Sequence, residues 1–123
     1  MHISLGKAIA PLRQQNVLII GSGMSFHNMK AFFSSSADII TANEAFNEWL
    51  IDTCAAPGLS CEQREQRLIA WEKAPSARFC HPREEHLLPR HVCFGAASIE
   101  TSPATIVFND EIMGTKVTSF LWH

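Results

Sequence analysis

At 123 residues the chain has the size of one small domain, and 46% hydrophobic residues are enough to form a core. A formal net charge of −2, with acids and bases interspersed, leaves no electrostatic footprint for nucleic acid or an anionic membrane. No apolar run approaches bilayer length and no basic-then-apolar leader marks secretion, so a cytoplasmic protein with reduced thiols is expected.

Residues 2–15 place Ile3, Leu5, Ala8, Ile9 and Leu12 at helical spacing, with Pro11 predicting a kink or an early stop. This helix begins with almost no leader, as expected of the tail of something longer. Val17-Leu18-Ile19-Ile20 is a continuous apolar run and predicts a strand buried on both faces of an α/β sheet. Gly21-Ser22-Gly23 then turns the chain. Residues just past a strand's carboxyl end line the ligand crevice of such sheets, and His27 and Asn28 occupy that place. The glycines lack the third glycine of a dinucleotide fingerprint and the lysine of a phosphate loop.

Residues 31–40 read as a connector. Thr41-Ala42-Asn43-Glu44 predicts a capping box opening a helix to about Ala55, with Ala45, Phe46, Trp49, Leu50 and Thr53 inward. Pro57-Gly58 stops it. Ser60 and Gln63 predict a second box and a surface helix to about Lys73. A loop over 75–78 leads to a helix over about 84–97, with Gly95-Ala96-Ala97 as a small-residue packing face. After Ser102-Pro103, residues 104–108 predict a strand, Asn109-Asp110-Glu111 a turn, and residues 116–122 a last strand. The four cysteines (Cys54, Cys61, Cys80, Cys93) form no C-x-x-C pair, which favours reduced thiols over a zinc knot.

The chemistry concentrates in residues 80–91, Cys-His-Pro-Arg-Glu-Glu-His-Leu-Leu-Pro-Arg-His, which hold three of the six histidines. His81, His86 and His91 recur every five residues, a helical rotation of about 140° net, so they cannot all face one ion. The segment supplies at most one good metal ligand, and His86, beside two acids, is the candidate. The plainer reading of His86 is a surface residue. Glu84 and Glu85 could act as ligand and base, but more often such a pair complements a helix dipole. Arg83 and Arg90 could bind a substrate carboxylate, with solvated surface arginines the default. His27 could be structural, yet its place after the glycines favours proton transfer. The terminal His2 and His123 have no expected role, and Trp49, Trp71 and Trp122 read as packing residues.

Two stretches, Leu18-Ile19-Ile20-Gly21-Ser22-Gly23-Met24-Ser25-Phe26-His27-Asn28 and His81-Pro82-Arg83-Glu84-Glu85-His86-Leu87-Leu88-Pro89, resemble the class III extradiol ring-cleavage dioxygenases, in the DOPA 4,5-dioxygenase-like branch. Phe46-Asn47-Glu48-Trp49 and Met113-Gly114 before a strand are similar too. The resemblance implies the carboxyl-terminal half of an extradiol dioxygenase-like catalytic domain over residues 1–123. The implied fold is α/β, a partial mixed sheet flanked by helices. It also implies a catechol-type substrate, O₂ and a non-haem metal, Fe(II) first and Zn second.

By resemblance His86 is the metal-binding histidine and His27 the catalytic acid and base just outside the metal's ligands, while His81 sits at a position that varies and is assigned no ligand role. The family's other histidine motifs, resembling G-H-G-x-P and S-A-H-W, do not occur here. Either the sequence is a fragment or truncated gene product, or another chain supplies the missing half, and a homo-oligomer or such a partner chain is expected. The rival readings are a non-catalytic interaction module that keeps the scaffold, and a different metal-dependent hydrolase using His27, His86 and Glu85.

Overall fold

The computed structural model describes residues 1–34, 36–97 and 103–123. Ser35 of the predicted connector and Ser102, just before the predicted strand over 104–108, lie outside the described residues. Helix α1 (His2–Ile9) passes at Pro11 into a 3₁₀ turn (Ala10–Gln15), as the proline's missing N–H and fixed φ require. Helix α2 (Ala37–Ala55) is the longest element. Helix α3 (Cys61–Ile69), a 3₁₀ turn (Trp71–Lys73), a short α4 (Ala77–Cys80) and α5 (Leu88–Ala97) follow. Strands β1 (Thr105–Ile112) and β2 (Thr115–Leu121) close the chain as an antiparallel hairpin.

The α/β class holds, and among the described residues the sheet consists of β1 and β2. Residues 17–20 form no strand, and they are not buried: Leu18 is 75% and Ile20 77% exposed. A strand buried on both faces needs neighbouring strands, and no strand among the described residues pairs with this run. The hairpin turn is also displaced. Asn109, Asp110 and Glu111 pair within β1, and the reversal falls on Met113 and Gly114, at φ 54° and 73°. Two successive residues at positive φ give the turn whose twist suits a two-residue hairpin, which Gly114 permits without strain.

Helix α2 starts after Ser36, five residues before Thr41, so Thr41 is an interior residue and its capping box does not form. The box at Ser60 does form: Ser60 Oγ accepts from Gln63 N at 3.1 Å, and Ser60 N donates to Gln63 Oε1 at 2.8 Å. The helix it opens is less superficial than its charges suggest. Leu68 and Arg64 are buried, and Arg64 donates to the carbonyls of Thr53 and Ala56 at the end of α2.

Two apolar clusters flank α2. Phe26, Phe46, Leu50, Trp71, Leu87 and Val117 make one; Ile3, Cys54, Leu68, Phe94 and Ala104 make the other. Asn43 ties α2 to β2 by donating to Lys116 O (2.9 Å) and accepting from Lys116 N (2.8 Å). Helices α1 and α5 meet through Gly6 and Gly95. A Cβ on Gly6 would lie 2.1 Å from Val92 O, and one on Gly95 2.2 Å from Ile3 O. The small-residue face expected near Gly95 is thus the place where α1 docks.

The cysteine expectation is met at Cys54 and Cys80. Both are buried thiols, pushed by burial up to about 11 and about 12.

Candidate active site

His27 and His86 stack, with ring centroids 3.6 Å apart and planes 14° from parallel. Main-chain bonds between residues 24–28 and 79–86 produce this contact. Met24 N donates to His86 O (2.9 Å), and His27 N donates to Cys80 O (3.0 Å). Asn28 Nδ2 donates to Phe79 O (2.8 Å). Ser25 ties the same loop to the hairpin, its Oγ accepting from Thr118 N at 2.9 Å. Gly23 permits the approach, because a Cβ there would sit 2.3 Å from His86 O.

His86 does not lie on a helix. Residues 82–87 form turns, and α5 begins only at Leu88, with Glu84 O accepting from Leu87 N and Leu88 N (2.8 and 3.1 Å). Pro89 falls in the first turn of α5, where an amide N–H would have no helical acceptor. Leu87 is fully buried and anchors the turn, leaving the His86 ring exposed.

Glu84 therefore stands outside the helix whose dipole it was expected to complement. It pairs instead with Arg78 at 2.8 Å, and that hydrogen bond holds its carboxyl below the ordinary range. Glu85 pairs with the solvated Arg83 at 3.2 Å and does not line the cleft with His86. That weakens the hydrolase reading, which needed Glu85 beside the imidazoles.

His81 is completely buried between Phe46 (5.3 Å) and Trp71 (6.2 Å). Its Nε2 bonds Ser25 O at 2.9 Å; a carbonyl can only accept, so Nε2 carries the proton. Burial pulls its pKa down to about 4. It is a positioning residue for the loop that carries His27. His91 is likewise a buried structural histidine, on Leu68 O (2.9 Å) and Leu87 O (3.3 Å), its pKa lowered by burial.

His86 also lines an open cleft of about 740 Å³, between residues 17–24, the start of α5 and the outer edge of β2. His27 is not on its wall; it lies behind the His86 ring, 6.5 Å from Phe32. Arg90 lines the cleft as well, contrary to the default of a solvated arginine. Its Nη1 is enclosed and its guanidinium lies 5.4 Å over the Phe120 ring. The sequence signal for Arg90 was its place four residues past His86; its burial depends on a strand thirty residues later.

A resident metal ion needs several donors converging on one point. No group of three or more His, Cys, Asp or Glu side chains able to hold one occurs among the described residues. The stacked rings sharpen the point. Their lone pairs lie in nearly parallel planes 3.6 Å apart, whereas a metal sits in the plane of its imidazole about 2 Å from nitrogen. One ion cannot be bound by both rings as they stand, so the described residues alone do not make a metal site.

The sequence matches the family model described as the catalytic LigB subunit of aromatic ring-opening dioxygenase over residues 1–120, and the chain belongs to that family. Among curated relatives it is similar to a 4,5-DOPA dioxygenase extradiol of Beta vulgaris, 37% identical over 108 residues, covering 88% of this chain and 38% of the relative. A protein named dioxygenase tasH from Hapsidospora irregularis is 30% identical over 131 residues, covering 98% of this chain and 39% of its own length. A 4,5-DOPA dioxygenase extradiol of Mirabilis jalapa is 35% identical over 96 residues, covering 78% and 34%. The chain thus spans between 34% and 39% of the length of these relatives. No described helix is long and apolar enough to cross a membrane.

Proposed function

We propose that residues 1–123 form the carboxyl-terminal part of an extradiol ring-opening dioxygenase for a catechol-type aromatic, with O₂ as co-substrate. In this reading His86 is one ligand of a non-haem metal, Fe(II) before Zn, and His27 is the acid and base beside it. The single observation that supports it best is the 3.6 Å stack of His27 on His86. The stack leaves one ring free to ligate and keeps the other within reach of the same ligand without competing for the ion. His86 takes the first role because it is exposed and lines the cleft; His27, half-buried behind it, takes the second. An imidazole suits proton transfer near neutral pH.

The remaining ligands come from outside the described residues, from the rest of the fold, whether that lies on the same polypeptide, a second copy of this chain or a partner. The exposed apolar run at residues 17–20, with Leu18 75% and Ile20 77% accessible, supports an association of this kind. The test is anaerobic addition of Fe(II) and a catechol, followed by oxygen. A yellow ring-opened product supports the reading; none from folded, iron-loaded protein contradicts catalysis by this chain. His86→Ala should abolish metal uptake, while His27→Ala should spare uptake and slow turnover. Equal metal binding by wild type and His86→Ala would remove the ligand role.

A second reading, a non-catalytic module that keeps the scaffold, is favoured by the lack of a three-donor cluster among the described residues. Size measurement combined with metal analysis separates the two: a metal-free oligomer supports the module.

A further inference from the structure

Phe46 and Asn47, neighbours on α2, reach the two supports of the loop that carries His27. Ser25 in that loop is held from both sides. Its carbonyl accepts from His81 Nε2 at 2.9 Å, and its Oγ accepts from Thr118 N at 2.9 Å. Phe46 packs on the His81 ring at 5.3 Å, and Trp49 stacks behind Phe46 at 5.7 Å. Asn47 takes the other support, because Thr118 Oγ1 donates to Asn47 Oδ1 at 2.7 Å. A threonine hydroxyl has one proton, and the alternative acceptor, Asn109 Oδ1, lies farther off at 3.1 Å. Asn47 Nδ2 donates to that same Asn109 oxygen at 3.4 Å, which keeps the amide oxygen of Asn47 turned toward Thr118.

Asn47, Thr118 and Ser25 are each no more than 5% exposed. A polar group stranded in such a setting is costly, so the bonds among them favour one arrangement. The line from Asn47 through Thr118 to Ser25 ends two residues before His27. It holds the loop from the hairpin, whereas the amides of Met24 and His27 hold it from the segment that carries His86. Asn43 provides an internal comparison. It lies one turn earlier on α2, is equally buried and also bonds β2, but at the main chain of Lys116 rather than at Thr118.

From this line of bonds we propose that Asn47 is a positioning residue for His27, acting through Thr118 and Ser25 to hold the imidazole against His86. Its bearing on catalysis rests on the reading of His27 as acid and base. The positioning itself does not.

The test compares Asn47→Leu, Thr118→Val, Thr118→Ser and Asn43→Leu by NMR of the His27 and His86 rings. Asn47→Leu and Thr118→Val should shift the His27 ring signals and weaken the ring-to-ring Overhauser cross-peak. Thr118→Ser keeps the hydroxyl and should show wild-type signals. Asn43→Leu should lower the urea midpoint and leave the ring signals unchanged. Thr118→Val swaps the hydroxyl for a methyl group of the same shape, and it decides the matter if Asn47→Leu does not fold. Wild-type ring signals in Thr118→Val overturn the proposal. So does an equal change in Asn43→Leu, because that marks loosened packing and not a directed line of bonds. In iron-loaded protein that opens a catechol, Asn47→Leu should lower kcat by about tenfold or more with metal uptake kept. If the ring signals respond as expected but wild type opens no catechol, the positioning role stands and the dioxygenase reading fails. If a catechol is opened and Asn47→Leu keeps the wild-type kcat, the reading stands and this inference fails.

Discussion

The buried imidazole of His81 donates from Nε2 to the carbonyl oxygen of Ser25 at 2.9 Å, two residues before His27. One hydrogen bond therefore joins a histidine with no access to the cleft to the loop that positions the candidate acid and base. Replacing His81 with Leu removes a donor from that carbonyl in a buried setting. The expected loss is about 1–3 kcal/mol of unfolding free energy, read from urea denaturation. An unchanged midpoint would show that the loop is held without it.

Acid should destabilise the fold through the same residue. His81 has its folded pKa lowered from 6.5 to about 4, so its neutral form is the one the fold accepts. Its contribution is complete above pH 6.5 and falls as pH drops toward 4, because the unfolded chain binds the proton first. At the bottom of that window the loss is on the order of 3 kcal/mol. The depressed pKa of His91 acts in the same direction. His81→Leu should flatten the pH dependence of stability between pH 6.5 and 4, a comparison made by denaturation across that range.

How far the sequence could be read depended on how local each feature was. The capping box at Ser60 and Gln63 needs only residues three apart, and it was legible. Thr41 and Glu44 carry the same pattern, yet the backbone turns helical after Ser36, so the box has no free amides to cap. The strand predicted at residues 17–20 failed because burial on both faces belongs to neighbouring strands, not to the run itself. The approach of His27 to His86 could be inferred from the two motifs. Its stacked geometry could not, since it follows from bonds at Met24, His27 and Asn28 to a segment more than fifty residues away. Arg90 was misjudged for the same reason: the ring that covers it, Phe120, lies on β2.

Gly23 offers a steric test of how the site is assembled. A methyl group there would approach His86 O to 2.3 Å, a backbone atom that cannot swing aside. Gly23→Ala should cost about 1–3 kcal/mol and separate the two imidazoles. The same denaturation assay reads the first effect, and imidazole chemical shifts read the second. Unchanged stability and shifts would show that the loop is free to move.

Ser60→Ala removes the oxygen that accepts from Gln63 N and should lower stability by about 1 kcal/mol, with no effect on ligand binding in the cleft. A change in cleft binding would show that α3 supports the site more directly than its position indicates.

The candidate site is a contact between two imidazoles brought together from distant parts of the chain. Its most direct test is a nuclear Overhauser measurement between the ring protons of His27 and His86, assigned with the two alanine variants. Rings stacked at 3.6 Å should give strong cross-peaks that vanish in either variant. Assigned ring signals with no cross-peak between them would contradict the site.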